Sequence, residues 1–117
     1  MDPTIVSNLL NEIQITPDST ISKTLYSDAF SKSVLFAFDS GQELSEHTAS
    51  MPASIHFLKG EAEVTLGNQS LLAIAGTWIH MPANLPHSVK AKSGTIMILT
   101  LMKSGRLKSA TSSSEDD

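Results

Sequence analysis

Apolar residues recur along this chain with two different periods. Near the start, Ile5, Val6, Leu9, Leu10 and Ile13 fall at the three-to-four-residue spacing of one helical face. Asp2 or Thr4 could cap such a helix, and Pro3 sits where a first helical turn accepts it. Residues 1–19 are therefore expected to form a short helix or arm that covers core. Beyond the turn signal Thr16-Pro17-Asp18-Ser19 the period shortens. Strands are predicted at 20–26, 33–39, 43–48, 53–59, 61–66, 70–74, 77–81, 87–91 and 95–102, with a polar loop over 27–32. The clearest is Glu61-Ala-Glu-Val-Thr-Leu66, where Ala62, Val64 and Leu66 share one face and Glu61, Glu63 and Thr65 the other. Such alternation marks an antiparallel strand wet on one side. Gly41, Gly60 and Gly67-Asn68 supply turns and Pro52 a break. Many short strands at regular spacing predict an all-β barrel or sandwich over residues 20–102. From 103 to 117 the chain is rich in Ser and Thr and ends Glu115-Asp116-Asp117. This segment is expected to be a disordered, solvated tail, in which Ser112 to Ser114 form a candidate phosphorylation target.

Composition narrows the function classes. A chain of 117 residues suggests one domain. It has no cysteine, which rules out disulfides, thiolate zinc sites and cysteine nucleophiles. The net charge is −4 without a basic cluster, so nucleic-acid binding has no electrostatic footprint. No apolar run approaches a membrane span. The start, Met1-Asp2-Pro3, lacks the pattern of a secretion signal. The chain is expected to be soluble and cytoplasmic, with no nucleic-acid or membrane partner.

The most informative stretch is Gly76-Thr-Trp-Ile-His-Met-Pro-Ala-Asn-Leu-Pro-His-Ser-Val-Lys-Ala91. Two prolines within five residues stiffen the loop before His87, because each fixes its own φ and restricts its predecessor. The stretch resembles the second motif of the cupin superfamily, G-x5-P-x-G-x2-H-x3-N. Gly76, Pro82 and His87 match; Asn84 replaces a glycine and Ala91 an asparagine. The first cupin motif, G-x5-H-x-H-x3-4-E-x6-G, matches at Gly41, His47 and Gly60. Ala49 replaces its second histidine and Ala53 its glutamate. The resemblance covers residues 20–102 and points to the small single-domain cupins of the "cupin 2, conserved barrel" group, with a degenerate first motif. It implies a jelly-roll β-barrel and a homodimer.

The resemblance also implies a site. In the superfamily the positions of His47 and His87 face the barrel mouth and bind a divalent metal. Neutral imidazole suits Mn, Fe, Ni, Cu or Zn. A catalytic metal usually keeps about three protein ligands, and the matched positions supply two, so one such ion would be held weakly or lost. His56 and His80 are the candidates to complete the set. If Ala53 faces inward, strand parity turns His56 outward unless a bulge intervenes; the face of His80, beside the Met81-Pro82 break, stays open. Ala49, Ala53, Ile55 and Phe57 are expected to line a small, mostly apolar pocket, and Trp78 either stacks on a ligand there or packs elsewhere. Loss of the glutamate suits an uncharged or weakly polar ligand. No nucleophile elbow, phosphate loop or dinucleotide fingerprint is present. The expected function is a small-molecule-binding cupin with a reduced two-histidine metal site in an apolar pocket. The alternative is a metal-dependent dioxygenase or isomerase-like enzyme using His47 and His87 as ligands.

Overall fold

The structure, a computed structural model, describes residues 1–103. Among the described residues nine strands form: β1 (Thr20–Ser27), β2 (Ser31–Phe38), β3 (Glu43–His47), β4 (Ala53–Lys59), β5 (Glu61–Leu66), β6 (Gln69–Ile74), β7 (Trp78–Met81), β8 (His87–Ala91) and β9 (Thr95–Met102). They make two antiparallel sheets, ordered β1-β2-β9-β4-β7 and β3-β8-β5-β6. This is the all-β jelly roll expected. The sequence expectation of a loop over 27–32 shrinks to residues 28–30, a tight hairpin connection. Asp28 builds it: one carboxylate oxygen accepts from the Phe30 and Ser31 N–H groups at 2.7 and 2.9 Å, and the other accepts from Tyr26 Oη at 2.8 Å.

The inner faces of the sheets meet in the main core. Phe38, Ala53, Ile55, Phe57 and Met81 come from the five-stranded sheet, and Ala62, Val64, Ala73, Val89 and Ala91 from the other. In β5, Ala62 and Val64 are buried and Glu61 and Glu63 exposed, as the alternation requires. Phe38 and Phe57 have no exposed surface, so truncating either to alanine should cost about 3–5 kcal/mol.

A second apolar cluster lies on the outer face of the five-stranded sheet. Leu35, Ala37 and Ile96 project there and are covered by Ile13, with Leu9 and Ile15 packed alongside. The N-terminal segment thus covers core as an arm. Its only helical turn is a 3-10 turn, Leu9–Asn11. Asn8, in the middle of the expected helix, is extended instead (φ −149°), and its side chain accepts from the Leu10 N–H at 3.1 Å. A polar side chain that satisfies the backbone locally competes with a helix, and a helix of about 12 residues is marginal on its own.

At the other end, Lys103 continues the hydrogen bonding of the barrel. Its N–H donates to Phe30 O at 2.8 Å and its Nζ to Asp28 O at 2.7 Å. The rest of the expected tail, including Ser112 to Ser114, lies outside the described residues. Among the described residues, no helix is long and apolar enough to cross a membrane.

Candidate functional site

His47 reaches the barrel interior through an irregularity. Glu43 pairs with Lys90 and Leu44 with Val89, but the next partners are His47 and His87. Ser45 and Glu46 therefore span the space that Ser88 alone spans on β8. One extra residue is a β-bulge, and it inverts side-chain parity beyond it. His47 consequently shares the inward face with Leu44. On β8, regular alternation buries His87, Val89 and Ala91.

The two imidazoles meet edge to face, with ring centroids 4.2 Å apart. His47 is exposed at the mouth, and His87 is 8 % exposed beneath it. Each ring is held the same way. His47 Nδ1 lies 2.8 Å from Ser45 O, and His87 Nδ1 lies 2.8 Å from Leu85 O. A carbonyl oxygen only accepts, so Nδ1 carries the proton in both rings. In the neutral form each Nε2 is then left with a free lone pair. This backbone support is what orients metal-ligating histidines, and it equally prepares a hydrogen-bond acceptor.

The loop from Pro82 to Pro86 closes this end. Asn84 adopts a left-handed φ of +68°, a conformation that asparagine tolerates at the motif's glycine position. Its N–H donates to Ala49 O at 2.7 Å, tying the second motif to the first. Below the histidines is a cavity of about 40 Å³, lined by Ala49, Met51, Ala53, Met81, Leu85 and Leu99 among others. Apart from the two imidazoles, the side chains that line it are apolar.

Of the residues expected at the site, His47, His87, Ala49 and Ala53 come together. Ile55 and Phe57 face inward from β4 but belong to the packed core and do not line the cavity. His56, His80 and Trp78 lie elsewhere. β4 and β7 pair Ala53 with Met81, Ser54 with His80, Ile55 with Ile79 and His56 with Trp78. Ala53, Ile55, Ile79 and Met81 are buried inward, so His56, Trp78 and His80 project from the outer face, where all three are exposed. Trp78 stacks loosely on His80, with centroids 6.4 Å apart. Parity thus carries His56 and His80 away from the pair they were candidates to complete. The same parity brings in Met81, which the sequence reading passed over, as it did Met51 and Leu85. The face of Met81, like that of His80 beside it, is decided by the pairing of β7 with β4.

The divalent metal implied by the resemblance does not find its usual donor set here. Among the described residues, no three His, Cys, Asp or Glu side chains converge on one point. Two imidazoles fall short of the roughly three protein ligands of a catalytic centre, and no carboxylate offsets a double charge.

No family model and no curated protein matches the chain. Solved structures do. The conserved SPY1581 protein of unknown function from Streptococcus pyogenes is 30% identical, with a TM-score of 0.79 over 88% of this chain and 90% of that one. A cupin 2 conserved barrel domain protein from Leptotrichia buccalis is 27% identical, with a TM-score of 0.78 over 82% of this chain and 47% of that one. An RmlC-like cupin from Desulfovibrio desulfuricans is 25% identical, with a TM-score of 0.76 over 85% of this chain and 96% of that one. With both motif histidines paired at the mouth of a two-sheet jelly roll, the chain belongs to the cupin superfamily, as a small cupin of the cupin 2 barrel kind with a degenerate first motif.

Proposed function

We propose that this protein is a small-molecule-binding cupin whose apolar pocket centres on a reduced two-histidine site. One observation carries the reading: both rings are fixed through Nδ1 to backbone carbonyls, which leaves two Nε2 lone pairs available at one cavity. Such a pair accepts hydrogen bonds from a small neutral ligand or holds a metal weakly. A water needs roughly 10–15 Å³ on the same measure, so about 40 Å³ limits the occupant to a few heavy atoms in this conformation. The apolar walls disfavour a polyanion.

The test is thermal melting of the full chain, purified without a metal-affinity tag, against small uncharged ligands and metal ions. A ligand at a hundred times its Kd stabilises by about 2.7 kcal/mol. The expected result is a rise in Tm that His87→Ala abolishes. A wild-type Tm that no panel member moves would overturn the reading.

The reading includes a homodimer through the outer face of β4 and β7. Trp78 is 63 % exposed there, between His56 and His80, and aromatic residues are enriched at protein interfaces. Trp78→Glu should convert dimer to monomer in sedimentation without loss of the β circular-dichroism signal. A wild type that sediments as a monomer at high micromolar concentration would refute this.

A further inference from the structure

We infer that the cavity beneath the histidine pair is a copper(I) site, in which the thioethers of Met51 and Met81 join the two imidazoles. The inference rests on the reading of His47 and His87 as a binding pair and names what that pair holds. Four residues able to ligate a soft metal line one cavity: His47, Met51, Met81 and His87. Met81 is 2 % exposed and pairs directly with Ala53 across β4 and β7. Ala53 occupies the position of the motif's glutamate. The wall that lost a hard anionic oxygen therefore carries a soft thioether beside the vacancy.

Charge and softness then select the ion. Burying an ion costs free energy that grows with the square of its charge. A dication in this cavity would meet no carboxylate, since none is among its lining residues. A monovalent ion is far less costly to bury among apolar walls. Thioether sulfur favours copper(I) among biological metals, and imidazole is compatible with it. Because the chain has no cysteine, no thiolate elsewhere competes for the ion. The volume of about 40 Å³ also suits a bare ion better than an organic substrate. The Nδ1 bonds to Ser45 O and Leu85 O set the tautomer of the neutral rings, whose Nε2 lone pairs can take the ion without displacing a proton.

The experiment is anaerobic competition of the full chain with the copper(I)–bicinchoninate complex. Wild type is compared with Met51→Leu, Met51→Leu/Met81→Leu and His87→Ala. Met-to-Leu changes nearly conserve volume, and circular dichroism checks that each variant folds. Met51 is only half-buried, so its single variant serves if the double variant does not fold. Wild type should withdraw one equivalent of copper. The double variant should hold it at least about tenfold more weakly, the lower end of what even an outer-shell partner contributes to metal affinity. The single variant should fall between, and X-ray absorption of the wild-type complex should show sulfur scatterers. If the leucine variants withdraw copper as well as wild type while His87→Ala does not, the thioethers are not ligands; the inference fails and the histidine pair stands. If wild type withdraws none, the inference fails too, and the melting panel alone decides the fate of the pair.

Discussion

Gly41 and Gly60 offer a controlled measurement of how tightly the barrel closes behind its first motif. Their φ values are nearly equal, +87° and +86°, so alanine meets a similar backbone penalty at either site. That penalty is about 1–2 kcal/mol for a left-handed L-residue. The surroundings differ. A Cβ on Gly41 meets nothing within 4 Å. A Cβ on Gly60 collides with the Gly94 carbonyl oxygen and stands 2.7 Å from Thr95 Oγ1 and 2.8 Å from Thr95 Cα. None of these can yield cheaply. Thr95 is fully buried, and its hydroxyl lies 3.1 Å from Glu61 O and 2.8 Å from Ser93 O, the acceptors for its single proton. Relieving the collision would leave a buried polar group unpaired or force overpacking, which costs about 1–3 kcal/mol. Gly41→Ala should therefore lose about 1–2 kcal/mol, and Gly60→Ala about 1–3 kcal/mol more. The assay is urea unfolding of both variants beside wild type, read by circular dichroism. With domains of this size losing about 4–8 °C per kcal/mol, their melting points should also separate visibly. Coincident midpoints for the two alanine variants would refute the steric account of Gly60.

Asn84 should behave as a glycine position filled by its best substitute. Asn84→Gly is expected to unfold near the wild-type urea midpoint, whereas Asn84→Ala should lose about 1 kcal/mol through its left-handed φ; an Asn84→Ala chain more stable than wild type would sink this. The hairpin bonds of Asp28 predict a pH dependence. Hydrogen bonds from Tyr26 first, then from the Phe30 and Ser31 N–H groups, hold its carboxyl below the ordinary value near 3.8. Its stabilising contribution is complete above that value and fades as pH falls through the lower folded-state value. Asp28→Ala should therefore melt lower than wild type at neutral pH, with the gap closing in acid; a gap independent of pH would exclude Asp28 as its source. The Tyr26 phenol is shifted the opposite way, upward, chiefly by the same hydrogen bond to Asp28. The wild-type advantage should accordingly fade again as pH rises past 10, in the same melting series.

Much of the barrel was legible because strand parity is a local property. The alternation of Glu61 to Leu66 placed Ala62 and Val64 inside without knowledge of any partner strand. The outward direction of His56 followed from Ala53, three residues earlier, by strict alternation. His80 could not be oriented that way, since its face depends on pairing with Ser54 across β4 and β7. Trp78 shares that dependence, and its place outside the pocket became visible only with the register. For the N-terminal segment the spacing left a short helix or an arm open, and the structure has the arm. Its apolar spacing suits a helix, but the sheet face built from Leu35, Ala37 and Ile96 is what its leucines and isoleucines cover, and a single turn suffices for that. The cavity was legible as apolar, since Ala49 and Ala53 stand at positions the motif assigns to ligands. Its methionines lay within the motif spacing but not among its named positions, so pattern matching skipped them.

The bulge in β3 makes the identity of the side chain at the pocket's mouth a matter of counting. In an unbroken ladder continuing from Leu44 and Val89, His87 would face Glu46, and His47 would point to solvent. Two adjacent residues of opposite chemistry thus compete for one inward position, and a single inserted residue arbitrates. Deletion of Ser45 would remove the extra residue and leave Leu44, Glu46 and His47 opposite Val89, Ser88 and His87, so His47 should keep its inward place in a regular strand. The extra residue, and not the order of side chains along β3 alone, is thus what sets an imidazole instead of the Glu46 carboxylate across from His87.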